Sequence, residues 1–386
     1  MNLLFLINII ALLFSFFVIG AILGAFFSKP IRGKLITILH LKRLLLRKSE
    51  LNPIIKPGTT LWTAEAVLNP AAALIEGQTH LLYRAIGMDG ISRLGYANSM
   101  DGITFNKPLP YPAYVARNPH KLPLNQRYYS PVMYPSGGSW GGCEDPRMVL
   151  IDGRVYVTFN MFDGWDFIRV AAISIPENDF VAQRFHRWEG PYILSRPGER
   201  QKNWVLFPEK IGDRFAILHS IAPKIEIAYR DSIEDIGIEE PYVKSWIGPR
   251  IDLPARENTW DSFIRSPGPP PLKTERGWLL FYHAFGERDT VGYRLGAMLL
   301  DLVEPTTVLY RSAAPVLSPD EPYENHGKPG VVYACGAVVR NGTLFVYYGG
   351  ADKVVCVATA SLVDFLDALM TGNQPSLATM THTQTA

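Results

Sequence analysis

The densest cluster of chemistry-bearing residues is Gly141-Gly142-Cys143-Glu144-Asp145-Pro146-Arg147. It sets two carboxylates beside a guanidinium. A residue that precedes proline is biased toward extended backbone, which can hold the Asp145 side chain off a turn and in a cleft. Arg147 can orient or neutralise a carboxylate, or bind a second anion. Cleaving a glycosidic bond needs a proton delivered to the leaving oxygen, hence a carboxylic acid. The same residues also read as a surface turn with a weak salt bridge.

A second cluster, Gln201-Lys202-Asn203-Trp204-Val205-Leu206-Phe207-Pro208-Glu209-Lys210, places cations, an amide and an acid around an apolar plug. Tyr282-His283 and Tyr347-Tyr348-Gly349-Gly350-Ala351-Asp352 complete the set. Aromatic rings stack on sugar faces, and Asp, Asn and His hydrogen-bond hydroxyls. No phosphate-binding glycine loop, dinucleotide fingerprint, HExxH helix or GxSxG elbow is present.

These residues need strands to position them. Gly77, Gly153, Gly212, Gly277 and Gly342 each open an apolar or aromatic strand that is followed by a second strand rich in small residues. Five hairpins without interleaved amphipathic helices argue against a parallel α/β sheet. A repeated antiparallel module predicts an all-β, five-bladed β-propeller with long inter-blade loops. The first strands end on Arg84, Asn160, His219, His283 and Gly349, and convergence of these on one channel would form a polar funnel. Ser361–Leu369 is helix-like.

The N-terminal region is a different object. Leu3 to Phe27 carry no charge, long enough as a helix to span a bilayer, with no basic residue ahead as a signal peptide requires. Seven Lys/Arg follow by residue 48, so residues 1–50 carry net +6 and the remainder net −4, giving +2 for 386 residues. The positive-inside rule then predicts a single-pass anchor with the main domain cytoplasmic. The domains are thus an anchor at 1–28, a basic juxtamembrane linker at 29–59, the propeller at 60–370 and a disordered tail at 371–386. Such a charge balance does not suggest nucleic acid. Cys143, Cys335 and Cys356 form no CxxC pair, which fits a reducing compartment and no zinc or other metal site.

NPAA at Asn69–Ala72, LLYRA at Leu81–Ala85, the run Ser92–Gly102, GGCEDPR, KNWVLFPEKI, Pro269–His283, YRLGAMLLD and YYGGAD together resemble glycoside hydrolase family 130. The resemblance spans about residues 60 to 368. It implies a five-bladed β-propeller that cleaves terminal β-mannosidic bonds with inversion, most members giving mannose 1-phosphate and some acting as hydrolases. Asp145 matches the family's proton donor, thought to act through a sugar hydroxyl in the phosphorylases. Asn69, Arg84 and Asp352 match positions lining the mannose or phosphate pocket. Arg93, Asp101, Tyr282, His283 and Tyr348 join the expected substrate contacts. In a phosphorylase, Arg84, Arg147, Lys202 and His283 are the expected phosphate ligands and inorganic phosphate is the co-substrate; no cofactor is expected.

Two departures stand out. Leu218-His219-Ser220 replaces a common Leu-His-Arg, and Arg265-Ser266-Pro267-Gly268-Pro269-Pro270 stands where a Lys usually precedes Gly-x-Gly-Pro-Pro. Losing a basic residue weakens a dianion site. A hydrolase on the same scaffold would need a carboxylate base, for which Glu209 and Glu226 are the candidates. A membrane-tethered glycan-binding or biosynthetic accessory, or a transferase running backward from mannose 1-phosphate, is the reading that the anchor favours.

Overall fold

The computed structural model describes residues 46–116, 122–234, 259–286 and 289–371. Alternating apolar residues and tight turns fold them into antiparallel meanders. The first comprises β2 (Ala66–Ile75), β3 (Gln78–Ile86) and β4 (Ile91–Ser99), following the short strand β1 (Arg47–Lys48). The second comprises β5 (Gly141–Ile151), β6 (Arg154–Asp163), β7 (Ile168–Pro176) and β8 (Glu189–Ile193). A two-residue parallel pairing, Ile91 with Gly141 and Ser92 with Gly142, joins these two meanders into one seven-stranded sheet. The third meander is β9 (Val205–Leu206), β10 (Phe215–Ser220) and β11 (Glu226–Arg230). The fourth is β12 (Phe263–Pro267), β13 (Leu272–Thr274), β14 (Gly277–Gly286), β15 (Asp289–Leu300) and β16 (Val308–Arg311). The fifth is β17 (Val332–Arg340), β18 (Thr343–Gly350) and β19 (Val354–Ser361), and β1 adds to its outer edge by pairing with β19. Among the described residues, helix is confined to short pieces and to Leu362–Thr371.

Each of the five hairpins read from the glycines is present, as β3–β4, β6–β7, β10–β11, β14–β15 and β18–β19. At Glu76-Gly77, Asp152-Gly153 and Asn341-Gly342 both residues of the turn have positive φ. That is the backbone twist a two-residue hairpin needs.

Apolar side chains fill five interfaces between successive meanders. Leu82 and Leu94 of the first meet Val157 and Phe159 of the second. Tyr156 and Val170 of the second meet Trp204 and Ile217 of the third. Ala216 and Leu218 of the third meet Trp278 and Leu280 of the fourth. Leu279 and Leu299 of the fourth meet Leu344 and Val346 of the fifth. Tyr347 and Val357 of the fifth meet Leu81 and Ala97 of the first. The last interface thus returns to the start, and the inner strands are buried on both faces while outer strands such as β8 and β11 are not. Each fully buried large apolar side chain contributes about 1.5–3 kcal/mol.

Two close approaches recur in the pattern. Tyr83 lies across Gly95 and Tyr282 lies across Gly296, and a Cβ on either glycine would sit 2.3 Å from the ring. The repeated small residue is therefore a seat for a tyrosine.

Within the stretch read as a linker, residues 46–59 belong to the folded body. Leu46 is buried beside Phe365, Leu366 and Leu369, and its N–H donates to the Val316 carbonyl. The Lys48 ammonium reaches the buried Glu324 carboxylate at 2.6 Å. Lys48, read as part of a basic linker, thus spends its charge inside the domain. Leu3–Phe27, the rest of the linker to residue 45, and the tail from 372 lie outside the described residues. Among the described residues no helix is long and apolar enough to cross a membrane.

Candidate active site

The innermost strand of four meanders carries a register break. Breaks fall at Leu68/Ala71 in β2, Glu144/Arg147 in β5, Ile264/Ser266 in β12 and Ala334/Gly336 in β17. A bulge re-aims side chains that a regular strand would bury or pair. The residues at or beside these breaks, Asn69, Asp145, Ser266 and Tyr333, line one cavity of about 500 Å³, together with Asn203 just ahead of β9. All five meanders therefore contribute to it.

Asn69 and Asp145 share a local device. Each precedes a proline, and each has positive φ, 47° and 51°. The expected extended backbone at Asp145 is not adopted, because the bulge forces a left-handed residue. Such strain persists where surrounding contacts over-determine it, and it concentrates at functional sites.

Those contacts are dense. The Asn69 amide donates to Asp145 Oδ1 at 2.7 Å, leaving Asn69 Oδ1 without a protein partner. Arg84, fully buried, donates to Asp145 Oδ1 at 3.1 Å, Glu144 Oε1 at 2.8 Å, the Ser136 carbonyl at 2.6 Å and Ser139 Oγ at 2.7 Å. Lys202 donates to Glu144 Oε2 at 2.7 Å. Glu144 thus lies behind the cavity and holds two cations against it. Burial alone would raise the Asp145 carboxyl, but Arg84, Arg147, Lys202 and the Asn69 amide outweigh it and hold it below the usual carboxylate range. Asp352 goes the other way: burial raises it, although Lys328 and Arg84 pull against that. Two carboxylates whose environments push them apart are a common basis for acid–base division of labour.

Lys328 spans the cavity wall, donating to the Pro135 carbonyl at 2.8 Å with its ammonium 3.6 Å from Asp352. Sequence reading missed Lys328, Ser136, Arg200, Ser266, Tyr293 and Tyr333 as lining residues. Lys328, Ser136 and Arg200 come from loops without periodicity, whereas Ser266, Tyr293 and Tyr333 lie on β12, β15 and β17, Ser266 inside the departing Arg265–Pro270 stretch. Arg265 does line the cavity, so the cation expected before the Gly-Pro-Pro run is retained. Ser220, in place of the usual Arg, instead turns to the Ala222 and Lys224 carbonyls.

The five strand ends expected to form the funnel sit one layer back, except Arg84. Asn160 donates to Asn203 Oδ1 at 2.9 Å, and His219 packs on Trp204. A Cβ on Gly349 would fall 2.1 Å from Asn69 Oδ1. His283 accepts from the Ala334 N–H at Nε2 (3.0 Å), so its Nδ1–H faces Ser266 Oγ (3.2 Å), and it stacks on Tyr333 at 3.8 Å. Burial, then Arg147, pushes it down to about 3, so it is neutral. For Asn160, His283 and Gly349 the register explains the shift: they lie on the strand paired with the bulged one.

Other expected contacts lie elsewhere. Arg147 is buried and donates to the Asp145 carbonyl at 2.7 Å and Asn203 Oδ1 at 3.0 Å, which braces the cavity wall. Arg93 pairs with Asp89. Asp101 caps its own turn, accepting from the Ile103 and Thr104 N–H groups, which outweigh its slight burial and hold it at about 2. Tyr282 donates to Asp261 at 2.6 Å and Tyr348 to Glu324 at 2.8 Å, both in buried networks away from the cavity. Glu209 pairs with Lys273 and Glu226 with Lys224, and neither lines the cavity. Among the described residues no cluster of three metal-ligating side chains occurs. The three cysteines are buried and unbridged, and burial pushes the Cys143 and Cys335 thiols up to about 12.

An all-β body built of five meanders around a polar, cation-rich cleft with two unlike carboxylates defines a carbohydrate-active enzyme. The chain belongs to glycoside hydrolase family 130, whose profile, described as beta-1,4-mannooligosaccharide phosphorylase, matches residues 45–370. The 1,2-beta-oligomannan phosphorylase of Thermoanaerobacter sp. (strain X514) is 35% identical over 331 residues, covering 83% of this chain and 98% of the relative. The same organism's beta-1,2-mannobiose phosphorylase is 33% identical over 312 residues, covering 77% and 90%. Among solved structures, the beta-1,2-mannobiose phosphorylase of Listeria innocua matches with a TM-score of 0.62 at 23% identity, covering 84% of this chain and 99% of that one. That last likeness concerns the fold.

Proposed function

We propose that the protein is an inverting β-mannoside phosphorylase, cleaving terminal β-mannosidic bonds with inorganic phosphate to give mannose 1-phosphate. The observation that carries this is the charge of the cavity. Five cations line it (Arg84, Arg200, Lys202, Arg265 and Lys328) against two carboxylates, Asp145 and Asp352. A dianion needs several charge-assisted donors, whereas water needs a carboxylate base. The hydrolase candidates Glu209 and Glu226 lie outside the lining. Mannooligosaccharide phosphorylases as relatives support the same substrate class.

In this reading hydrogen phosphate binds beside Lys202 and Arg265, and one of its oxygens attacks the anomeric carbon. The bond from that carbon to the leaving oxygen breaks, and the leaving oxygen takes a proton from a sugar hydroxyl that Asp145 recharges. Asp145 rests as a carboxylate, so it must first gain a proton. The incoming anion offsets the cations that depress it, and the proton displaced from hydrogen phosphate balances the reaction. Asn69 fixes the Asp145 carboxyl, and its free Oδ1 accepts from a mannose hydroxyl.

The five meanders support a five-bladed propeller around this cavity. The apolar run Leu3–Phe27 and the basic residues after it support an N-terminal anchor with the enzyme on the cytoplasmic side. A C-terminal reporter active only outside the cytoplasm would overturn that placement.

The test of function incubates the full chain with β-mannobioses, with and without phosphate. Mannose 1-phosphate formed only with phosphate is expected, and mannose released at the same rate without it would mean hydrolysis. Asp145→Asn should lower turnover by about two orders of magnitude or more while the fold survives.

A further inference from the structure

A second cleft, of about 580 Å³, lies between the segment after β4 and the turn before β8, and shares no lining residue with the catalytic cavity. Its wall is aromatic. Tyr111 is 51% exposed, and Tyr114 and Phe185 both pack against Trp188 at 6.3 Å, Phe185 in a parallel stack. The Trp188 indole donates to the Ala113 carbonyl, which fixes the platform to the backbone. His186 is exposed and Gln183 half-buried, and both side chains line the cleft. Among the described residues, no Lys, Arg, Asp or Glu lines it.

That lining selects a ligand class. The exposed Tyr111 ring and the half-buried Tyr114 and Trp188 rings, backed by buried Phe185, stand beside amide and imidazole groups and suit the C–H faces and hydroxyls of a neutral sugar. The uncharged lining disfavours a charged ligand, since the neighbouring Arg184 and Arg187 are both paired with Asp179 outside it. The catalytic cavity, by contrast, is built for charge. We propose that this cleft is a surface site for a neutral oligosaccharide, holding a β-mannan chain outside the catalytic cavity. The proposal rests on the reading that the enzyme acts on β-mannosides. Its role is to raise the local concentration of long substrates, an effect of tethering rather than of chemistry.

The test is the double substitution Tyr111→Ala and His186→Ala in the full chain. Two readouts are needed: kcat/KM on mannobiose and on long β-mannan oligosaccharides, and retardation of the protein in a native gel containing soluble β-mannan. The proposal expects mannobiose kinetics to be unchanged, which also reports a preserved fold. It expects KM for the long chain to rise about five-fold or more, and gel retardation to fall. Unchanged long-chain kinetics with unchanged or absent retardation overturns it. If the wild-type protein fails on mannobiose with phosphate, the phosphorylase reading fails instead. The gel then decides alone: retardation lost in the variant supports the cleft, and none in either protein rejects it.

Discussion

His283 discriminates two accounts of the cavity. As a phosphate ligand it would have to turn an N–H to the cavity or carry a second proton; as placed, it is neutral, with both ring nitrogens engaged by Ala334 and Ser266, and braces Tyr333 from behind. Its ordinary value is 6.5 and burial takes it to about 3 in the folded protein. Between those values the unfolded chain binds more protons than the folded one, so stability is full above pH 6.5 and is lost as pH falls through that window. Integrating from about pH 7 to pH 5 gives a loss of about 2 kcal/mol from this one residue. Urea unfolding of the wild-type protein and of His283→Gln, at both pH values, measures it. Glutamine can still accept from the Ala334 N–H but does not titrate, so the variant should lose about 2 kcal/mol less than wild type across the interval. Equal losses would refute the buried neutral imidazole. KM for phosphate adds a second check: an imidazolium ligand would make it rise as pH increases through about 6.5, and the present geometry predicts no such step.

Three further perturbations follow from the packing. Gly349→Ala drives a methyl into Asn69 Oδ1, so kcat/KM on mannobiose should fall about tenfold or more, with a stability cost of only about 1–3 kcal/mol by thermal unfolding. Glu144→Gln leaves Arg84 and Lys202 short of a buried counter-charge, and denaturant titration should register a loss of about 3 kcal/mol; a neutral result would mean the carboxylate is dispensable. Lys48→Met strands the buried Glu324, so unfolding at neutral pH should come up to about 3 kcal/mol easier, the deficit shrinking in acid as Glu324, raised by burial, becomes protonated.

The strand pattern was legible because each hairpin announces itself locally, by a turn residue and two alternating runs. The same holds for Asp145 and Arg84, whose sequence neighbourhoods are distinctive. The bulges were not legible. Pro70 in Leu68–Ala71 and Gly336 in Ala334–Gly336 are too weak as signs to place a skipped register, yet that skip decides which row of residues lines the cavity and which row supports it. Lys328 and Ser136 reach the cavity from loops whose paths are set by contacts far away in sequence. Conversely, Arg93, Asp101, Tyr282 and Tyr348 have polar groups of the right kind but spend them on Asp89, two backbone amides, Asp261 and Glu324. Residue type alone does not show which partner claims a hydrogen bond.

The pairing of β1 with β19 has a consequence for how the protein is made. Its flanking contact, from the Asn52 amide to the Val357 carbonyl, joins residues 305 positions apart. At a synthesis rate of roughly 5–20 residues per second, the first strand leaves the ribosome about 15–60 s before its partner exists. Until then the interface that joins the last meander to the first cannot close, and strand edges stay open to other chains. A circularly permuted gene that moved residues 46–59 to the C-terminal end would deliver β1 just after β19. Such a chain should shorten that exposed interval and yield more soluble protein without altering a single contact of the finished molecule.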